Sequence, residues 1–233
     1  MAESRKKRGA NVPAGNGENQ DHTVTEVAAE DMLRANTYAL LASLLRGPPD
    51  AATLTGLAES RLDDSEMGQA MAALAAVARK STPESLKEEY HDLFIGVGEA
   101  ELTPYASYYL TGFVYEKPLA KLRIAMSELG IVKTDDVSDP EDHIAALCEM
   151  MCGLITGAFG EPADLASQQA FFDAHMAPWA ERFFEDLEEA DSANFYKPVG
   201  TIGKLFGRIE TQAFEMARDQ LLAQGPAGAP KLH

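Results

Sequence analysis

Apolar residues recur every three or four positions from Val24 to about Leu222, and no stretch of useful length alternates strictly between apolar and polar as a half-buried strand does. Helices bury such a pattern on one face, so the expected fold is all-α, a single helical domain of about ten helices. At 233 residues the chain is long enough to bury a sizeable core.

Breaks in the pattern set the expected elements. The first run holds Val27, Leu33, Leu40, Leu41, Leu44 and Leu45 and stops at Gly47-Pro48-Pro49. A short helix over Ala52–Ser60 and an alanine-rich one over Glu66–Lys80 follow. Thr82-Pro83-Glu84 then reads as N-cap, proline at the first helical position and an early carboxylate, opening a helix whose inner face holds Leu86, Tyr90, Leu93 and Phe94. It ends into Gly96-Val97-Gly98. After Pro104 come a short turn of helix, Tyr105–Leu110, and a longer helix, Pro118–Leu129. Asp139 is the expected cap of the next helix, with Glu141 and Asp142 in its first turn and Ile144, Leu147, Met151 and Leu154 as its buried stripe. Pro162–Met176 and Pro178–Glu188 are also expected to be helical. A last helix, Thr201 to about Leu222, turns Ile202, Leu205, Ile209, Ala213 and Met216 inward. Residues 1–23 have almost nothing to bury and read as a disordered tail ahead of a helical domain over 24–223, with 131–138 as a candidate hinge between two helical halves and 224–233 as a frayed tail.

Charge narrows the partners. The net charge is −17, and beyond residue 22 there are 16 basic against 34 acidic side chains. Such a field repels nucleic acid and anionic lipid and concentrates cationic peptides, so no nucleic-acid partner is expected. No apolar run is long enough to span a membrane, and integral membrane association is not expected. The basic stretch Ser4–Arg8 lacks the apolar segment that a secretory leader carries after it, so a solvated tail is the expectation there. Two cysteines, Cys148 and Cys152, sit one helical turn apart in an apolar stripe, which fits a reducing compartment and two small core residues better than a disulfide or a metal site. The chain carries no nucleophile elbow and no phosphate-binding loop, so it is not expected to be an enzyme.

Two blocks stand out. The first is Leu93-Phe94-Ile95-Gly96-Val97-Gly98 leading to Pro104-Tyr105-Ala106-Ser107-Tyr108-Tyr109; the second is Asp139-Pro140-Glu141-Asp142-His143. A further segment, Phe171 to Phe184, surrounds His175, Pro178 and Trp179, with Phe195-Tyr196 beyond it. In order and spacing these resemble the hallmarks of the TorD/DmsD family, cytoplasmic chaperones for molybdenum enzymes exported by the twin-arginine route. The resemblance runs from about Asp31 to Leu221. The chain departs from it at Val97, where many members have proline, at Ala106, where glutamate or glycine is common, and at Tyr105, where several have tryptophan.

The resemblance implies a cytoplasmic chaperone that binds the twin-arginine signal peptide, the apo form of a molybdopterin-containing oxidoreductase, or both, and assists cofactor insertion before export. A leader with paired arginines ahead of an apolar segment needs carboxylates beside an apolar groove. Asp92, Glu99, Glu101, Glu141 and Asp142 are the candidate carboxylates, and Phe94, Tyr105, Tyr108 and Leu110 the candidate apolar wall. Pro140, His143, Gly96, Gly98, Pro104 and Ser107 complete the candidate client-binding set by position in the two blocks. Read without the resemblance, Asp142 is a first-turn carboxylate favoured by the helix dipole, His143 is bonded to a neighbouring loop, and the glycines let the chain turn. No cofactor is expected; contact with a nucleotide or the molybdenum cofactor rests on family analogy alone. The family also allows a monomer or a helix-swapped dimer. Three alternatives remain: an assembly factor of the nitrate-reductase type for a non-exported enzyme, a nucleotide hydrolase using Asp142 and His143, and a purely structural scaffold.

Overall fold

The computed structural model describes residues 27–60, 63–97, 100–133 and 139–224. Ten helices and no strand occur among them: α1 (Ala29–Arg46), α2 (Ala51–Ala58), α3 (Glu66–Ala78), α4 (Pro83–Phe94), α5 (Ala106–Thr111), α6 (Lys117–Glu128), α7 (Ile144–Thr156), α8 (Leu165–His175), α9 (Ala180–Glu189) and α10 (Tyr196–Gln224). The N-terminal tail, 225–233 of the C-terminal one, and 134–138 of the candidate hinge lie outside the described residues, as do Gly98 and Glu99.

The middle of the molecule is α7. Ten of its thirteen residues are buried, Ile144, Leu147, Met151 and Leu154 among them, and a helix that is apolar nearly all round must be covered on every side. It packs chiefly on α1, whose inward face is Ala35, Tyr38, Leu41, Ala42, Leu44 and Leu45. Leu33, expected inside, is exposed. α10 packs along α9 and also meets α3 and α1. Helix α4 starts as its sequence indicates: the Thr82 side chain accepts from the Ser85 amide, the Ser85 hydroxyl accepts from the Thr82 amide, and Pro83 lies in the first turn.

Two starts differ most from those expected. α10 starts at Tyr196, not Thr201, because Pro198 falls in the first turn, where a missing N–H costs nothing. The Glu89 carboxylate in α4 accepts from the Asn194 and Tyr196 amides and ties down that start. The inward stripe of α10 is accordingly Val199, Ile202, Phe206, Glu210 and Phe214, and Ile209 and Met216 face solvent. The second difference concerns Asp139–His143. These residues form a turn, and α7 starts only at Ile144, with His143 as N-cap.

Candidate functional site

The chain's local preference at Asp139-Pro140 is overruled by the segment across from it. Pro104–Ala106 lies antiparallel to Asp142–Ile144: the Ala106 amide donates to the Asp142 carbonyl at 3.0 Å, the Ile144 amide to the Pro104 carbonyl at 2.9 Å, and Tyr105 pairs with His143. Extended backbone on both sides satisfies these groups, so Glu141 and Asp142 are not first-turn residues of α7.

Asp142 is 1 % exposed. Its Oδ2 accepts from the Ser107 amide at 2.8 Å and the Ser107 hydroxyl at 2.5 Å, so it does for the short helix α5 what an N-cap side chain would do, Tyr105 having none to offer. Its Oδ1 is also buried and has no hydrogen-bond partner among the described residues. A carboxylate oxygen in that condition costs free energy until a donor meets it.

His143 is 4 % exposed, and its Nδ1 accepts from the Ala145 amide at 3.1 Å, capping α7. Acceptance at Nδ1 requires the unprotonated ring, with the proton placed on Nε2. Burial, and then the nearby Arg46 guanidinium, push its pKa down to about 4 against a weaker pull from Asp139. The ring meets Tyr105 edge-on, centroids 5.0 Å apart. Burial first, and Asp139 next, push the Tyr105 phenol up to about 12. Asp142 and His143 thus hold the corner together, one as a tie to α5 and one as a cap of α7.

The corner is buried, yet a cavity of about 190 Å³ opens beside it, between α5, α6, α7 and α8. Asp142 lines it with Ala106, Leu110, Pro118, Leu122, Leu147 and Pro178, and Lys121 and His175 stand on its wall. Burial and the Lys121 charge both lower the His175 pKa, so that ring also favours its neutral form. The wall residues from α6 carry no mark in the sequence, and His175 of α8 stands out there only as part of the third segment; the fold is what brings them to Asp142.

The other candidates scatter. Glu141 lies on the far side of the turn, bound to Arg123 at 2.8 Å and near Lys133 at 3.8 Å, and it lines a separate cavity of about 200 Å³ with Arg46. Glu101 accepts from the Asp191 and Ser192 amides; burial opposes its ionisation, but those bonds hold it below the usual carboxylate range. Asp92 is exposed beside His91 and lines neither cavity. Phe94 is half-buried against the core, packed on Tyr90 and Tyr196, and lines neither cavity. Gly96, at φ +66°, ends α4 in the left-handed conformation that glycine adopts without strain. Pro104 and Pro140 are buried in the corner, while Tyr108 and Leu110 reach the surface. Cys148 is buried, Cys152 half-buried, and burial raises both thiols out of the reactive range. The described residues hold no group of three or more metal-ligating side chains.

Comparison with known proteins follows the same segments. Residues 60–185 match the family described as nitrate reductase delta subunit. A chaperone protein TorD from Vibrio atlanticus is 26 % identical over 168 residues, which is 68 % of this chain and 78 % of that protein. A Tat proofreading chaperone DmsD from Haemophilus influenzae is 27 % identical over 131 residues, 55 % of this chain and 62 % of its own. Among solved structures, a redox enzyme maturation protein from Archaeoglobus fulgidus shares the fold, with a TM-score of 0.50 over 80 % of this chain and 98 % of that one at 19 % identity.

Proposed function

Since the chain belongs to the nitrate reductase delta subunit family, in the branch of the TorD and DmsD chaperones, we propose that it is a cytoplasmic maturation chaperone for a molybdenum-containing oxidoreductase. It binds the client's twin-arginine leader, its apo form, or both, and holds it until the cofactor is loaded. This is binding, not catalysis: His143 is engaged as a cap acceptor and half of Asp142 as a tie to α5, which leaves no poised acid–base pair.

One observation carries the reading: Asp142, which lines a cavity walled mainly by apolar residues, keeps a buried Oδ1 with no hydrogen-bond partner among the described residues. A guanidinium brings a planar donor fork to such an oxygen, and its methylene stem matches the apolar walls. The Lys121 ammonium on the same wall suits main-chain carbonyls of a peptide, which a bare cation would not offer. No helix among the described residues is long and apolar enough to cross a membrane.

Calorimetry with synthetic twin-arginine leader peptides of molybdenum-containing oxidoreductases tests the reading, using Asp142→Asn. Asparagine can keep the acceptor toward Ser107 while presenting an amide NH2 to the cavity. Loss of one charge-assisted bond should weaken binding roughly tenfold or more, and changing both leader arginines to lysine should do likewise. Unchanged affinity in both arms would remove Asp142 from leader recognition. The family's description favours one second reading, an assembly factor for a non-exported nitrate reductase; a client N-terminus without paired arginines that binds as tightly as a leader would select it.

A further inference from the structure

Sixteen large apolar residues are exposed among those described, and five of them fall within eight consecutive positions: Tyr108, Leu110, Phe113, Val114 and Tyr115. Phe113 and Tyr115 are each 70 % exposed. A cluster of this kind marks a surface that something covers.

The cluster is held in place. Gly112, at φ +82°, ends α5, and Tyr115 takes φ +64°, a left-handed conformation that costs a tyrosine about 1 kcal/mol or more. The Thr111 hydroxyl donates to the Ser107 carbonyl at 2.8 Å and accepts from the Phe113 amide at 3.3 Å. Ser107 is in turn bound to Asp142. Hydrogen bonds therefore run from the Asp142 carboxylate along α5 to the exposed cluster, and Leu110 belongs to both the cavity wall and the cluster. The two features form one continuous surface.

We propose that this ledge, Leu110–Tyr115, seats the apolar run of the leader while a neighbouring basic side chain enters the cavity at Asp142. The proposal rests on the leader-binding reading above and locates the apolar half of the site, which moves from Phe94 and Tyr105 to the end of α5 and the residues that follow it. Charge and extent select this occupant. The Asp142 carboxylate on the cavity wall, with one oxygen unpartnered, calls for a donor, the ledge for apolar side chains, and a peptide with a basic residue beside an apolar run supplies both. A stable dimer needs about 800 Å² per partner. Five partly exposed side chains, at about 150–250 Å² for a whole aromatic one, offer a good deal less.

Two labelled synthetic peptides test it by fluorescence anisotropy, both with paired arginines, one continuing in a leucine-rich apolar run and the other in serine and glycine. The double variant Phe113→Ser, Tyr115→Ser should bind the apolar peptide roughly tenfold more weakly and the serine peptide as the parent does. Asp142→Asn should weaken both. Matching circular dichroism and unfolding midpoints establish that the surface variant is folded. If the parent binds neither peptide, the leader reading fails. If it binds the apolar peptide and the double variant binds it equally well, the ledge is overturned while the leader reading stands. A parent dimer that the double variant turns into a monomer, with peptide affinity unchanged, assigns the ledge to a second copy and overturns the proposal.

Discussion

A histidine that accepts a hydrogen bond through Nδ1, as His143 does from the Ala145 amide, must be neutral to do so. Its folded pKa, about 4, lies below the ordinary value of 6.5, so the unfolded chain binds the proton more readily. The stability this contributes is complete above pH 6.5 and is lost as pH falls from there toward 4. The full shift corresponds to about 3 kcal/mol. Urea unfolding at pH 7.5 and pH 5.0 should therefore show a larger acid loss for the parent than for His143→Gln, whose amide oxygen can take the cap and does not titrate. Equal losses would mean that other groups dominate. Sequence reasoning singled out Asp142 and His143 but could not give them their work. Asp142 reads as a first-turn acid until Ser107, 35 positions earlier, is seen to bind it.

At the scale of elements, local signals prevail where the chain alone satisfies its backbone and lose where another segment does so. The Thr82-Pro83 start of α4 is local, since cap, box and proline all lie within four residues. The starts of α7 and α10 depend on Pro104 and Glu89, which no window around either helix contains. Packing of α10 on α9 has a similar hidden requirement. A Cβ at Gly200 would stand 2.7 Å from the Phe184 carbonyl oxygen and the Glu188 amide nitrogen, and one at Gly203 would run into the Phe184 ring. Gly200→Ala improves helix propensity by about 1 kcal/mol yet must push backbone from backbone, so a net destabilisation of about 1–3 kcal/mol is expected by urea denaturation. Gly207→Ala, with nothing within 4 Å, should be neutral or stabilising.

Across the whole molecule, one buried ionic cluster ties the helices at the two ends of the described chain. Glu210 is fully buried in the apolar stripe of α10, and Arg34 from α1 binds both its oxygens, at 2.7 and 2.8 Å. The Tyr38 hydroxyl donates to the same carboxylate at 2.9 Å, and Arg34 also reaches Gln168 of α8 at 2.9 Å and lies over the Phe214 ring. Burial alone would lower the Arg34 pKa; the bonds and charge of Glu210 more than offset it. Glu210→Ala, which leaves the phenol without its acceptor and the guanidinium with only Asp31 and Gln168, should cost about 3–5 kcal/mol, and methionine at both 34 and 210 should recover most of it. A double variant no more stable than Glu210→Ala would show that the charges themselves are required. The sequence offered a sign of this cluster, an acid at the i+4 position between Phe206 and Phe214, but choosing Ile209 for the inner face concealed it.

By itself, the sequence determined the fold class, the number of helices and most of their spans, because amphipathic period, caps and breakers act over distances of a turn or two along the chain. It also marked both segments of the corner. Only the tertiary structure decided that Asp142 is a turn residue with one oxygen committed and one unpartnered, that Glu101 and Glu141 are tied elsewhere, and that α6 and α8 complete a cavity at its side. Each of those facts depends on hydrogen-bond partners and walls many residues away, and a carboxylate's role is fixed by what surrounds it, which linear spacing does not encode.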